Sequence, residues 1–274
     1  MTLSIEESRS LRPPERPVND RLTFMESDLE RQFQDIYLGA AKNWGFVQAL
    51  QDCFKVSAST IADALIPDLD RSIRETMGND FPRFFNPPAH PAILQRMAED
   101  KTALARSAID SASVVIIHAA LDEAVNRYLL LIAMAEPTLW ETGVCEETVP
   151  MKTIKQVPYA DLLLKKALDA AREFGHQSLK KKVEWILGRC YRNDCPLSPP
   201  EFRFDVDRLK TFDDLRHKVA HGSNCATVTN MDEVLLFLWQ TLLSLQDVIG
   251  NRLGFKQDPT RELERQAEVR SVQL

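Results

Sequence analysis

A short stretch near the start of the last quarter of the chain combines residue types that suit phosphate chemistry. It reads Leu215-Arg216-His217-Lys218-Val219-Ala220-His221-Gly222. Arg216 carries a permanent positive charge on a planar fork of donors that matches a phosphate. His221 is a side chain whose proton can exchange near neutral pH. Gly222 favours the end of a helix there, since glycine accepts the left-handed conformation. The stretch therefore predicts a phosphate-directed site at a helix end.

The segment 212–222 resembles the signature of the HEPN superfamily, which is Arg, then usually Asn, Asp or His, then a short spacer and His. Here His217 follows Arg216 directly, and four residues separate Arg216 from His221. The resemblance covers roughly residues 91–254. It implies an all-α, HEPN-like helical bundle of four principal helices, preceded here by an N-terminal third that has no counterpart in the family and whose role is open.

In the families that this stretch resembles, the Arg/His pair is the active site of metal-independent endoribonucleases, built where two protomers meet across a twofold axis. The resemblance therefore implies that Arg216 and His221 cleave RNA in a homodimer, with no cofactor and no metal ion. The histidine would handle the protons of the 2′-hydroxyl and the leaving oxygen, and the arginine would offset charge on the phosphorane. Such ribonucleases serve in toxin–antitoxin, phage-defence and other stress systems, where an antitoxin or regulatory protein is a further partner.

Two other interpretations of the motif stay open. The chain could be a non-catalytic HEPN module that binds RNA, a nucleotide or a partner protein. It could also be a helical scaffold in which Arg216 pairs with Asp213 or Asp214 and His221 caps a helix. On an ideal helix, positions five apart diverge by about 140°. Convergence of the pair therefore needs either a helix end at Gly222 or a second chain.

Several neighbours of the motif are candidate supporting residues. His217 could orient Arg216 or contact the RNA backbone. The resemblance also implies that an acid on the first helix of the bundle, Asp122 or Glu123, could orient Arg216 or a histidine. His118, on the same helical stripe, fits better as a hydrogen-bonded core histidine.

A basic strip could add RNA contacts outside the motif. It begins with Lys180, Lys181 and Lys182, and Lys218 lies beside the motif itself. The strip is extended by Arg189, Arg192, Arg203, Arg208 and Lys210. Clustered lysines bind phosphates with salt-sensitive affinity. A run of lysines on a helix is equally typical of a solvated face, and Lys218 is better explained in that way.

The totals limit the function classes. Acidic residues outnumber basic ones by 40 to 34, for a net charge of −6, so RNA would have to bind a local patch. Five cysteines without a CxxC pair favour reduced thiols over a disulfide framework or metal cluster. The first 20 residues are polar, and the longest apolar runs fall short of the roughly 20 residues of a membrane span. We expect a cytoplasmic protein without membrane association.

The helical periodicity and proline positions predict a flexible arm (1–24), an N-terminal helical module (25–90), the helical bundle (91–255) and a charged tail (256–274). No stretch alternates as a strand does. Capping patterns predict helix starts at Ser27, Ser178 and Thr211 and within the segment 229–232, and Gly254 predicts a helix end. Pro67 is expected to end or kink a helix.

Overall fold

The computed structural model describes residues 19–78, 90–140, 158–191, 205–221 and 230–255, with side chains from residue 28 onward except that of Val206. Within these ranges the chain is all-α, as predicted, with six α-helices and no strand. The elements in chain order are α1 (Asn19–Met77), α2 (His90–Ala135), a 3-10 helix (Pro137–Trp140), α3 (Tyr159–Phe174), α4 (Leu179–Cys190), α5 (Val206–Ala220) and α6 (Met231–Leu253).

The second half of α2 is the centre of the fold. It packs against each of the other five α-helices, and for this reason its apolar residues are buried on more than one face. Side chains no more than 3% exposed include Leu121, Val125, Tyr128, Leu129 and Ile132. α6 contributes the opposing apolar surface, with Leu238, Leu242, Leu245 and Ile249 buried.

The predicted boundary near residue 90 does not separate two cores. Phe33, Ile36 and Val47 of α1 belong to the same buried cluster as the second half of α2 and α6. A second, smaller cluster joins the far end of α1 to the start of α2, through Ala62, Leu69, Leu94 and Ala98. α1 and α2 therefore each contribute to both clusters, because both helices are longer than the bundle. The link between them, residues 79–89, lies outside the described residues.

Pro67 does not end a helix, because α1 runs through it. Proline removes one amide donor from the helix, but Ala62 and Leu69 on either side are held against α2. Ser27 is not the helix start either, since α1 begins at Asn19. Asp28 instead accepts a hydrogen bond from Gln32 one turn later, at 3.0 Å. Residues 19–24 of the predicted flexible arm (1–24) belong to α1, so the arm is not flexible over that part. Residues 1–18 and the predicted tail (256–274) lie outside the described residues.

Local capping signals succeed at three helix ends and fail at two, Ser27 and Thr211. Ser178 accepts from the amide of Lys181, and Asn230 accepts from the amide of Glu233. Gly254 ends α6 with a φ of 72°. α5, however, starts at Val206 and not at Thr211, because Asp205 accepts the amides of residues 207 and 208 at 3.1 and 3.2 Å.

Two helices, α2 and α6, are long and apolar enough to cross a bilayer by length and composition alone. Each of these helices is longer than the uninterrupted apolar run that it contains, because scattered polar residues interrupt its apolar sequence. The most apolar window of α6 is 67% buried inside the fold, and that of α2 is 28% buried. Buried helices of soluble proteins meet the same criterion, so cytoplasmic localisation stays a prediction.

Candidate functional site

The motif occupies the exposed end of α5. Leu209 and Phe212 anchor the first half of this helix in the core, at 0% and 4% exposure. Leu215 and Val219 are only half-buried. The remaining side chains of the last turns are exposed to solvent: Arg216, His217, Lys218, Ala220 and His221. The first half of α5 thus packs against the core through Leu209 and Phe212, and its last turns extend beyond the core.

A histidine–carboxylate contact fixes α5 to α2 just before the motif. His118 Nε2 lies 2.7 Å from Asp213 Oδ1, and the two side chains are 13% and 23% exposed. The imidazole also packs on the Phe212 ring, with centroids 5.4 Å apart. The interpretation of His118 as a hydrogen-bonded core histidine is confirmed. Sequence reasoning considered Asp213 only as a partner of Arg216 and missed this role.

Arg216 is left without a carboxylate partner among the described residues. The alternative salt bridge from Arg216 to Asp213 or Asp214 is absent from the described structure, and the Asp213 carboxylate contacts His118 instead. On an ideal helix, Arg216 lies within about 20° of Leu209, seven residues earlier. Arg216 therefore lies on the same side of α5 as the buried Leu209. Its own side chain is exposed, because the last turns of α5 extend beyond the core.

The two histidines of the motif lie side by side. The ring centroids of His217 and His221 are 4.2 Å apart, with 58° between the ring planes. His221 is the residue that ends α5, and its backbone amide donates to the carbonyl of His217 at 3.1 Å. The cap is thus made by the backbone, and the imidazole remains exposed. Gly222, the predicted terminator, lies outside the described residues.

The fold separates the three consecutive lysines of the predicted basic strip. Lys182 is 1% exposed, and its Nζ contacts Asp122 Oδ1, Asn126 Oδ1 at 2.9 Å and the Gly175 carbonyl at 3.2 Å. The assignment of Lys182 to an RNA-binding surface is therefore wrong for the folded chain, because its ammonium group pairs with Asp122 inside the bundle.

The other two of these three lysines stay nearer to solvent. Lys180 is one quarter exposed and contacts Asp207 Oδ1 at 2.6 Å, a hydrogen bond that raises the pKa of the lysine. Lys181 is exposed, and its Nζ lies 3.4 Å from Gln177 Oε1. Of the three, Lys181 is the residue best placed to meet a phosphate.

The two acids proposed as orienting groups lie away from Arg216. Asp122 pairs with Lys182, so the structure gives it a structural role in place of the expected contact with the motif. Glu123 is exposed and lines a cleft of about 450 Å³ between α1 and α2, together with Arg127 and Asn43. In the described parts of the chain, neither acid has an ion pair with Arg216 or His221.

The comparisons with known proteins add no relative. No family model, no curated protein and no solved structure matches the chain. Among the described residues, no group of three or more His, Cys, Asp or Glu is placed to hold a metal ion. The HEPN resemblance thus stays a prediction that depends on the motif residues themselves.

Proposed function

We propose that this chain is an HEPN-type, metal-independent endoribonuclease that works as a homodimer. The observation that carries the proposal is the state of Arg216, whose guanidinium is exposed and has no carboxylate partner in the described structure. The same helix end also exposes His217 and His221. An exposed cation and exposed imidazoles, without carboxylate partners among the described residues, are the groups that cleavage of an RNA phosphodiester uses.

Each side chain has a definite role in the proposed reaction. The His221 imidazole removes the proton of the 2′-hydroxyl or returns one to the leaving 5′-oxygen. The Arg216 guanidinium binds the phosphate and offsets the charge that grows on the phosphorane. His217 contacts the neighbouring backbone or positions Arg216. RNA outside the cleaved linkage meets the exposed ammonium groups of Lys181 and Lys218.

A second chain offers a way to bring the two groups together. On an ideal helix, Arg216 and His221 would be about 140° apart around the axis and about 7.5 Å apart along it. A twofold axis beside the end of α5 would place the arginine of each protomer near the histidine of the other. Each Arg/His combination across the seam would then supply one phosphate clamp and one imidazole that transfers the proton.

The primary test is cleavage of mixed RNA by the purified full chain in the presence of a chelator. We expect Arg216→Ala and His221→Ala to lose at least about a hundredfold in rate, the lower limit for removal of a general acid or base. Arg71→Ala and His176→Ala are matched controls, since both residues are exposed and lie outside α5, Arg71 in α1 and His176 in the turn between α3 and α4. Equal cleavage by all the variants would reject the assignment of Arg216 and His221.

Mixing the two inactive variants tests the two-chain arrangement. A heterodimer of Arg216→Ala with His221→Ala retains one complete Arg/His combination across the seam. Cleavage should therefore return on mixing and should fall on dilution, as the dimer dissociates. If each variant alone is inactive and the mixture is also inactive at concentrations where dimers form, then a site shared between protomers is wrong.

A second candidate is a non-catalytic HEPN module that binds RNA, a nucleotide or a partner protein. The angle of about 140° that an ideal helix places between Arg216 and His221 favours this candidate. Binding RNA needs exposed groups, but it does not need both groups to reach the same phosphate. Its signature would be RNA binding that weakens in Arg216→Ala, with no turnover by the unmodified protein. If the chain instead cleaves RNA, its expected biological role is the one that the resemblance implies, in a toxin–antitoxin, phage-defence or stress system.

A further inference from the structure

The histidine pair has a geometry that RNA cleavage alone does not require. His217 and His221 are separated by one helical turn, and residues at this spacing share one face of a helix. Their ring centroids are 4.2 Å apart, and both side chains are exposed. In the described structure neither imidazole has a carboxylate partner, in contrast to His90 and His118, which contact Asp70 and Asp213.

We propose that His217 and His221 form a two-imidazole binding site for a divalent transition-metal ion such as Zn²⁺. Zinc binds histidine nitrogen at about 2.0–2.1 Å, so two ligands of a tetrahedral ion have nitrogens about 3.3 Å apart. The ring centroids lie 4.2 Å apart, and rotation of the two side chains would have to bring the nitrogens to that separation. Water fills the remaining coordination positions, because the site is on the surface.

The chemistry of the ligands selects the class of ion. Imidazole nitrogen suits zinc, copper and nickel, whereas Mg²⁺ and Ca²⁺ prefer oxygen ligands. Affinity for such nitrogen sites rises toward Cu²⁺ and is lower for Zn²⁺. Arg216 and Lys218 beside the pair repel any cation, and Asp214 on the adjacent helix turn attracts one. The ligand strength of two neutral imidazoles is therefore the main attraction.

A metal ion bound to this histidine pair would inhibit RNA cleavage. This consequence rests on the proposed ribonuclease function. A metal ion on His221 occupies the nitrogen that would accept or donate a proton during RNA cleavage. It also adds charge beside Arg216. Zn²⁺ would act as a reversible inhibitor of a reaction that itself needs no metal.

Calorimetric titration of the full chain with Zn²⁺ tests the site directly, without any activity. We expect one saturable site per chain. His217→Ala and His221→Ala should each weaken it at least about tenfold, since loss of a ligand should cost no less than loss of a supporting contact. His176→Ala, which removes an exposed histidine elsewhere, should leave the affinity unchanged. Circular dichroism of each variant verifies that the helices remain.

Acidification should abolish binding, because a protonated imidazole cannot hold a metal ion. Absence of saturable Zn²⁺ binding, or binding that survives in both His217→Ala and His221→Ala, would overturn the site. RNA cleavage that continues at saturating Zn²⁺ would overturn the inhibitory consequence. Zn²⁺ binding by a chain that never cleaves RNA would instead reject the ribonuclease and leave the metal site in place.

Discussion

Replacement of Lys182 by methionine tests whether this lysine belongs to the fold or to an RNA surface. The ammonium is 1% exposed and contacts Asp122, Asn126 and the Gly175 carbonyl, which come from α2 and the end of α3. Methionine keeps an unbranched chain of similar volume, so Lys182→Met removes the charge without opening a large cavity. The change in stability then measures the loss of the polar contacts.

The exposure of the partners sets the size of the effect. Removal of one partner of a fully buried ion pair costs about 3–5 kcal/mol, because the other charge is left uncompensated. The Asp122 side chain is 34% exposed and can regain water. We therefore expect Lys182→Met to lower the free energy of unfolding by about 2–3 kcal/mol. In a chain of this size that loss corresponds to a Tm lower by about 5–10 °C.

Urea denaturation followed by circular dichroism gives the free energy, with Lys181→Met as the matched control. Lys181 is the exposed neighbour in the same helix turn, and its replacement should change stability by less than about 0.5 kcal/mol. Adding Asp122→Asn to Lys182→Met should recover part of the loss, because the uncompensated carboxylate disappears. If Lys182→Met and Lys181→Met cost the same, the buried ion pair is not a significant contributor and the structural assignment of Lys182 is refuted.

Two further predictions follow from local contacts. Asp205→Ala removes the side chain that accepts two amides at the start of α5 and should cost about 1 kcal/mol, measured by thermal unfolding, whereas Asp205→Asn should retain most of the stability. Burial raises the pKa of the Cys190 thiol to about 12, so at pH 8 this residue is a neutral thiol and a poor nucleophile. Iodoacetamide labelling followed by peptide mass spectrometry should modify the exposed Cys53 and spare Cys190 until the protein is unfolded; modification of Cys190 at the rate of Cys53 would contradict its burial.

Features encoded within one or two helix turns could be predicted from the sequence. The apolar stripe of α2 and the caps at Ser178, Asn230 and Gly254 each depend on residues close in the chain. An N-cap side chain binds amides two or three positions away, and a helix end needs a left-handed residue at that position alone. For these features the sequence pattern contains all the interacting groups.

Features decided by distant partners could not be predicted in the same way. Pro67 is tolerated inside α1 because α2 packs on both sides of it, and periodicity within α1 does not contain that information. Lys181 and Lys182 have the same chemistry and adjacent positions, and only the arrangement of α2 and α3 makes one of them a buried ion-pair partner. The contact of Asp213 with His118 is likewise absent from the local pattern, since the two residues are 95 positions apart in sequence.

The contrast between Lys182 and Arg216 determines which substitutions can report on function. Lys182 is buried and holds the fold, so its loss would alter binding or activity through unfolding. Arg216 is exposed at the C-terminal end of α5, where a cation adds about 0.3–1 kcal/mol through the helix dipole. Because Arg216→Ala leaves the core and the His118–Asp213 contact unchanged, nearly all molecules stay folded. Any large loss of RNA cleavage in this variant is then a loss of chemistry at the end of α5, and the same reasoning applies to the exposed imidazole of His221.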